Sequence, residues 1–306
     1  METQPVETMP RPVKPAKPLP PLACDTHAHV FGPYDRFPLA PDRRYTPPLA
    51  PAEDYFAMLD QVGFDRGVLV HASANGYDCS GTLHALSRAS GRLRGVVVVP
   101  MQTSDAELAS MHGHGVRGIR FTETAAPTPT KPNGTLALLD LMEWGPRLSE
   151  LGWHAQMWVN CQRLVDAAPA LLRLHIPLVL DHMGYFNAAL GIADPGFQAL
   201  LRLMGSGRVW VKLTAIRNST RAPHYPDVRP FHEALVRAAP DRLIWGSDWP
   251  YIGLNDNPPD VGALIDLFDV WTHEEALREK ILVANPAVLY GFETPSSRPS
   301  PRRRES

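Results

Sequence analysis

Eight short apolar segments alternate with helix-like segments along most of this 306-residue chain. They are rich in Val, Ile and Leu and flanked by Gly or Pro, which is typical of parallel strands covered on both faces. The segments are 22–27, 66–72, 93–100, 116–121, 153–160, 176–182, 208–214 and 242–247. Patterns with a 3.6-residue period lie between or after them, at 52–62, 104–114, 136–151, 261–271 and 273–285. Strict alternation of this kind predicts a parallel sheet, either closed into a barrel or doubly wound.

Two features favour the closed barrel over the doubly wound sheet. The strand-like segments reach eight in number, and no G-x-G-x-x-G follows the first, so a dinucleotide-binding interpretation lacks its main support. Reactive side chains also follow the carboxyl ends of the predicted strands, where such a barrel builds its active site. These residues are His27, His29, Ser73, Arg120, Trp158, Asn160, His182, Lys212, Thr214 and Asp248. We therefore predict a (β/α)8 TIM barrel over residues 23–293.

The two ends of the chain have a different composition. Residues 1–22 contain seven prolines and predict a disordered arm, and residues 294–306 predict a disordered basic tail. A net charge of −2 gives no electrostatic field for capturing nucleic acid or a membrane surface. Three widely spaced cysteines fit reduced thiols in a cytoplasmic protein, and no segment has the length of a membrane span or the pattern of a signal peptide. The sequence leaves open whether the chain forms an oligomer.

A cluster of histidines with one carboxylate forms the candidate catalytic site. Because His27 and His29 are two residues apart on a strand, both side chains can point to one place. With two residues that end later strands they form a group that could hold a divalent metal or polarise a carbonyl. The group consists of His27, His29, His182 and Asp248. Strands 4 and 5 offer Arg120, Gln156 and Trp158, so a second metal is not expected. We expect the site to need no metal or to hold one divalent ion, such as Zn or Mn, weakly.

Cations near the strand ends indicate an anionic substrate, because guanidinium pairs well with carboxylate or sulfonate. These cations are Arg120, Lys212 and Arg217. The alternative for Arg120 is a buried ion pair, for instance with Glu123, and the alternative for Arg217 is a solvated loop. Ser73 is a further substrate-binding candidate. Tyr45 and Tyr185 could pack on a small ring or cap the pocket, although aromatic residues near Gly and Pro also serve as loop anchors.

Six motifs in the chain resemble those of the amidohydrolase superfamily. They are DTHAHVFG at 25–32, VRGIRF at 116–121, LDHMG at 180–184, VWVKL at 209–213, the segment 243–250 and NPxxLYG at 285–291. In particular, the chain resembles the amidohydrolase-related branch that contains 2-pyrone-4,6-dicarboxylate lactonase. The resemblance runs from about residue 23 to residue 292. It implies a (β/α)8 barrel that opens a lactone ring with water, in the catabolism of aromatic or sugar acids.

The resemblance also implies roles for individual residues. Asp248 would activate the water, while His27, His29 and His182 would hold and polarise the lactone carbonyl, often without a tightly bound metal. Trp158 occupies the position of a substrate-binding tyrosine. Tyr185 stands where the dicarboxylate lactonase carries an arginine, so this pocket is expected to be less cationic.

The sequence is compatible with several hypotheses about the activity. The expected substrate is a small anionic lactone, such as a pyrone dicarboxylate, a muconolactone or a sugar-acid lactone. The alternatives are a lactone isomerase, a metal-dependent decarboxylase or a non-enzymatic binding barrel. Asp248 is the expected base. Because Asp181 alternates with His182, we expect Asp181 to face away from the barrel interior, and we expect Asp25 to lie beneath the pocket on the His27 side.

Overall fold

A computed structural model describes residues 11–123, 133–254 and 257–293. Eight parallel strands follow one another around the sheet in chain order, as predicted. They are β1 (Cys24–Ala28), β2 (Arg66–Val70), β3 (Leu93–Val97), β4 (Val116–Glu123), β5 (His154–Val159), β6 (Leu178–Leu180), β7 (Val209–Leu213) and β8 (Leu243–Trp245). Backbone hydrogen bonds from Asp248 N to His27 O and from His29 N to Trp249 O, both 2.8 Å, join the last strand end to the first. The fold is therefore the (β/α)8 barrel that the sequence predicts.

Helices cover the outside of the sheet. They are α1 (Ala52–Val62), α2 (Ser80–Arg88), α3 (Asp105–Gly113), α4 (Asp140–Leu151), α5 (Cys161–Leu171), α6 (Pro195–Met204), α7 (Arg229–Ala238), α8 (Val261–Trp271), α9 (Glu275–Glu279) and α10 (Asn285–Tyr290). The bounds of α1 and α8 equal the predicted ones, whereas α4 begins four residues later than predicted. A π-helical turn, Lys280–Ala284, joins α9 to α10 and extends the last helical segment beyond its predicted end. Within the described residues, the helices are too short or too polar to cross a membrane.

Local sequence signals fix several helix ends. Ser104 and Glu107 form a reciprocal capping box at the start of α3, so two backbone N–H groups that lack helical partners are satisfied. Asp194 and Asp260 accept hydrogen bonds from the first turns of α6 and α8. Gly63 ends α1 in the left-handed region, at φ 102°, where glycine has no steric penalty. These local contacts set where α1 ends and where α3, α6 and α8 begin.

Apolar side chains fill the barrel interior on the side away from the candidate site. This inner cluster comprises Cys24, Val68, Val70, Val96, Val179, Trp210, Ile244, Ala287, Tyr290 and Phe292. The end of the chain crosses the amino ends of the strands. There, Arg94 donates to Gly291 O at 3.1 Å, and its guanidinium lies 4.3 Å from the centre of the Phe292 ring. The end of the barrel at the amino ends of the strands is therefore closed by packed side chains, and a pocket can form only at the opposite end.

The described half of the amino-terminal arm differs from the expectation of disorder. Residues 11–22 lie along α8 and α9, where Val13 N donates to Asp260 at 2.9 Å and Ala16 N donates to Asp266 at 2.7 Å. Arg278 donates to Pro18 O at 3.0 Å. Acidic side chains thus satisfy backbone groups of a proline-rich segment that has no secondary structure of its own. Residues 1–10 and the predicted tail at 294–306 lie outside the described residues.

Candidate functional site

The four residues of the predicted His/Asp cluster lie together at the carboxyl ends of the strands. Asp248 Oδ1 is 3.6 Å from His27 Nε2 and 3.6 Å from His29 Nε2. The ring centres of His27 and His182 are 4.9 Å apart, and those of His27 and His29 are 5.0 Å apart. All four side chains are buried. One small molecule at this point could therefore contact several of them.

Backbone turns at two strand ends direct these side chains inward. His182 and Asp248 have φ values of 49° and 63°, in the left-handed region that residues other than glycine rarely adopt. Gly246 is close to His27, since a Cβ at position 246 would lie 2.6 Å from His27 Cβ. The site therefore depends on strained turns and on one close approach that strand periodicity does not encode.

The imidazoles of the cluster are held neutral. Burial lowers the pKa of His182 to about 4 and lowers the pKa of His29. Burial and then the nearby Lys212 ammonium hold the pKa of His27 well below its usual value. His29 Nδ1 lies 2.6 Å from Val70 O, a backbone acceptor, so Nδ1 carries the proton and Nε2 presents a lone pair. At neutral pH these rings can donate or accept a hydrogen bond without bearing charge.

Asp248 is ionised and paired. Burial alone would raise the pKa of its carboxyl, but the Arg217 guanidinium outweighs burial and holds the pKa well below its usual range. Arg217 Nε donates to Asp248 Oδ2, and Arg217 Nη1 donates to Ile252 O at 2.7 Å. The other carboxylate oxygen, Oδ1, faces the histidines. Arg217 is thus fixed at the site rather than solvated in a loop.

The orientation expected for Asp181 is wrong. This side chain is 0% exposed and points into the barrel, with Oδ1 3.2 Å from His27 Nδ1. Its other oxygen, Oδ2, accepts from Arg120 Nε at 3.1 Å and lies 3.0 Å from Arg120 Nη2. The reason is that β6 ends at Leu180 with Val179 pointing inward, so Asp181 continues the inward series and His182 joins it through the turn that follows. The Arg120 partner is therefore Asp181 and not Glu123, which pairs with Arg163.

The expectation for Asp25 is also wrong. Its carboxylate accepts from Ser247 N at 2.8 Å, from Ser247 Oγ at 2.7 Å and from the Tyr55 hydroxyl of α1 at 3.3 Å. The pairing of β1 with β2 shifts register after Asp25, and this irregularity interrupts the alternation of side chains. Asp25 consequently lies on the helix side of β1, where it anchors the end of β8.

A pocket of about 270 Å³ opens beside the cluster. Among the predicted site residues its walls include His29, Tyr45, Ser73, Arg120, Trp158, His182, Arg217 and Asp248. The guanidinium of Arg120 lies 5.3 Å from the centre of the Trp158 ring, so a cation and an aromatic surface adjoin on one wall. The pocket combines an ionised carboxylate, neutral imidazoles and two arginines.

Two predicted substrate-binding residues lie elsewhere. Lys212 is fully buried beneath the pocket, where its Nζ donates to Thr26 O and Gln156 Oε1, both at 2.8 Å. Burial lowers the Lys212 pKa to about 8, against the opposing effect of Asp181. Tyr185 packs edge-to-face on Trp158 at 5.9 Å and lines a neighbouring cavity of about 430 Å³ that also contacts Arg217.

His71 is a titratable pocket residue that was not predicted from the sequence. His71 lies on the pocket wall, and its Nε2 is 2.8 Å from Gly76 O, so Nε2 carries the proton. Burial lowers its pKa to about 4. Its place in the sequence could have indicated a site residue, because His71 directly follows the Val-rich strand β2 just as His29 directly follows β1.

The donor atoms of the cluster could hold one metal ion. Two groups of three have ligand atoms within 4.8 Å of one another, namely His27, His29 and Asp248, and His27, Asp181 and His182. Both groups use His27. Within the described residues, His27 Nε2 and His182 Nδ1 have no hydrogen-bond partner. The separation of 3.6 Å between Asp248 Oδ1 and each imidazole nitrogen is close to the roughly 3.4 Å that separates ligands around tetrahedral zinc.

Comparisons with known proteins cover almost the whole barrel. The chain matches the amidohydrolase family over residues 24–292. A 4-sulfomuconolactone hydrolase of Rhizobium radiobacter is 40% identical over 278 residues, 89% of this chain and 91% of that protein. A 2-pyrone-4,6-dicarboxylate hydrolase of Comamonas testosteroni is 36% identical over 289 residues, 91% and 93% of the two chains. A crystal structure of a probable 2-pyrone-4,6-dicarboxylic acid hydrolase of Acinetobacter baumannii, with citric acid bound, matches with a TM-score of 0.77 and 27% identity, over 89% of this chain and 100% of that one.

Proposed function

The chain belongs to the amidohydrolase family, and on that premise we propose that it is a lactonase that opens the ring of a small anionic lactone with water. The observation that carries this proposal is the position of Asp248 Oδ1, 3.6 Å from two neutral imidazoles at the wall of a cationic pocket. The similarity to hydrolases of 4-sulfomuconolactone and 2-pyrone-4,6-dicarboxylate supports the same reaction class.

Asp248 is the general base in this mechanism. Since Arg217 keeps Asp248 ionised at neutral pH, Oδ1 can accept a proton from a water molecule within hydrogen-bond distance. The water oxygen attacks the lactone carbonyl carbon, and the oxygen of the tetrahedral intermediate is stabilised by hydrogen bonds in the buried site. The bond between that carbon and the ring oxygen then breaks. The ring oxygen receives the proton that Asp248 had accepted, and the new carboxylic acid ionises in water.

The arginines define the substrate class. Arg120 and Arg217 line the pocket on strands β4 and after β7, so a planar ring can place one anionic group near each. Trp158 offers the ring a flat surface beside Arg120. The pocket of about 270 Å³ suits a small ring with one or two short substituents. The citric acid in the Acinetobacter structure supports a polyanionic ligand for this branch.

We also propose that catalysis needs either no metal or one weakly held divalent ion. His27, His29 and Asp248 would hold such an ion, and their nitrogen and oxygen donors suit Zn or Mn. A bound ion would supply Lewis-acid polarisation of the carbonyl. Purified protein should contain at most one equivalent by elemental analysis. Two equivalents retained through dialysis would contradict the proposal. Decarboxylation of an aromatic acid that is lost completely on chelation would favour the decarboxylase alternative.

A cytoplasmic location is part of the proposal. Cys24, Cys79 and Cys161 are all buried thiols without a disulfide, which is the state expected in a reducing compartment.

The experiment that tests the function combines a substrate panel with a base variant. Purified protein is assayed against 2-pyrone-4,6-dicarboxylate, muconolactones including the 4-sulfo compound, and sugar-acid lactones. With the best substrate, Asp248→Asn should lower turnover by roughly 10²–10⁴, because the variant keeps the shape and removes the base. Asp241→Asn, at an exposed carboxylate of an ion pair with Lys280, is the matched control and should keep wild-type turnover. Wild-type turnover in Asp248→Asn, or hydrolysis of none of the lactones, would refute the function.

A further inference from the structure

A buried lysine lies directly beneath the His/Asp cluster. The Lys212 side chain is 0% exposed. Its ammonium has three N–H groups, and two of them donate to Thr26 O and Gln156 Oε1 at 2.8 Å. The nitrogen also lies 3.3 Å from His27 Nδ1, in hydrogen-bonding geometry. Two acceptors remain for the third N–H, and His27 Nδ1 lies nearer, at 3.3 Å, than Asp181 Oδ1, at 3.7 Å.

Two groups compete for His27 Nδ1. If Nδ1 carries the proton, it must donate to Asp181 Oδ1 at 3.2 Å, whereas without the proton it accepts from Lys212. Within the described residues, the contact between His27 Nδ1 and Asp181 Oδ1 falls outside hydrogen-bond geometry despite the short distance. The contact with Lys212 does meet hydrogen-bond geometry. This geometry favours the form of His27 in which Nδ1 accepts and Nε2 carries the proton.

The neighbouring histidine has the opposite arrangement. His29 Nδ1 donates to Val70 O, so His29 Nε2 has the lone pair. Both Nε2 atoms face the same carboxylate oxygen at 3.6 Å. His27 can then donate a hydrogen bond into the site, while His29 and Asp248 can only accept from a neutral water there. The two rings are chemically distinct although they lie on one strand.

We propose that Lys212 is a positioning residue that fixes His27 in the tautomer with the proton on Nε2, so that His27 donates to the substrate carbonyl oxygen while His29 and Asp248 orient the attacking water. The roles given to the substrate carbonyl and to the water rest on the proposed lactonase function and add detail to it. The tautomers themselves are a property of the protein without substrate. A divalent ion held by His27, His29 and Asp248 would take the place of the proton on His27 Nε2, so the proposed tautomer is that of the site without a metal.

Nitrogen NMR of the full-length protein labelled with [15N]histidine tests the tautomers directly. Two-bond couplings from ring carbon-bound protons distinguish protonated from unprotonated ring nitrogens, and His27→Gln and His29→Gln assign the two sets of signals. We expect a protonated Nε2 in His27 and a protonated Nδ1 in His29. A protonated Nδ1 in His27 of the wild-type protein would overturn the proposal. The NMR result does not depend on whether any lactone is hydrolysed. A wrong tautomer can therefore be distinguished from a failure of the proposed lactonase function.

Variants of Lys212 test its role. Lys212→Met keeps much of the side-chain volume and removes the donor, so His27 should change to the tautomer with the proton on Nδ1, donating to Asp181. Turnover on the best lactone should fall roughly 10²-fold, the effect of losing one oxyanion donor, with little change in KM. Gln156→Met is the matched control, because it removes another partner of the same ammonium without touching His27, and it should keep the wild-type tautomer.

Two outcomes would contradict the assigned role of Lys212. An unchanged His27 tautomer in folded Lys212→Met would show that Lys212 does not set it. An altered tautomer in Gln156→Met as well would indicate that general packing, and not the donated hydrogen bond, determines the state of the ring. If Lys212→Met does not fold, the wild-type spectrum alone still decides whether His27 carries its proton on Nε2.

Discussion

Replacing Arg120 by alanine should destabilise the fold as well as the pocket. The substitution removes two contacts to a carboxylate that is fully buried, from Nε at 3.1 Å and Nη2 at 3.0 Å to Asp181 Oδ2. Two charge-assisted hydrogen bonds at about 1.5–3 kcal/mol each set an upper limit of roughly 6 kcal/mol. The Lys212 ammonium remains 3.7 Å from the other Asp181 oxygen, and its charge offsets part of that loss. We therefore expect the free energy of unfolding to fall by about 3 kcal/mol, within the range for a broken buried ion pair.

Urea denaturation, monitored by circular dichroism, measures the loss in the free energy of unfolding. Steady-state kinetics on the best lactone measures the loss in catalytic efficiency. Arg120→Lys should recover about half of the stability, because one donor can still reach Asp181. The double variant Asp181→Asn/Arg120→Ala should lose less free energy of unfolding than the sum of the two single variants, because it leaves no unpaired buried carboxylate. Arg229→Ala, at an exposed i,i+4 pair with Glu233, is the control and should lie within about 0.5 kcal/mol of wild type. Wild-type stability in Arg120→Ala would refute the structural role and leave only substrate binding.

Two further variants report on the site and on the core. Gly246→Ala should lower turnover, because the added Cβ would lie 2.6 Å from that of His27. Gly113→Ala is the control and should leave kinetics unchanged, because no atom would lie within 4 Å of its added Cβ. Equal turnover in the two variants would contradict this prediction. His232 is buried with its pKa lowered to about 4 by burial, so it favours folding at neutral pH and this contribution is lost as the pH falls from about 6.5 to 4. His232→Gln should reduce the wild-type loss of unfolding free energy between pH 7.5 and 5.5 by about 1 kcal/mol in urea titrations, and an identical pH dependence would show that His232 titrates normally.

The barrel could be predicted because its strands are buried on both faces. Segments rich in Val, Ile and Leu repeat eight times, and such segments have few alternatives to a parallel sheet. The convergence of His27, His29, His182 and Asp248 followed from their positions at strand ends alone. Predicted strands were longer than the observed ones at several ends, because apolar residues continue into the loops that line the pocket.

The orientation of individual side chains could not be predicted where the backbone departs from regular strands. The register shift in β1 turned Asp25 toward α1, and the left-handed turn at His182 allowed both His182 and Asp181 to face inward. Periodicity assigns only one of two adjacent residues to each face, so Asp181 was placed on the wrong side. Periodicity also does not give the depth of a side chain along a strand, which is why Lys212 was predicted to bind substrate although it lies beneath the pocket.

The ion pairs of the site have a consequence for product release. Three cations, Arg120, Arg217 and Lys212, surround two carboxylates, Asp181 and Asp248, which leaves a single excess positive charge. Hydrolysis of a lactone creates one more carboxylate, so the product carries one more negative charge than the substrate at neutral pH. Among the residues that the structure describes, the site has no further cation to neutralise it, and the new charge arises close to Asp248. We expect the open acid to be repelled more strongly than the ring, so that it leaves readily and inhibits turnover only weakly.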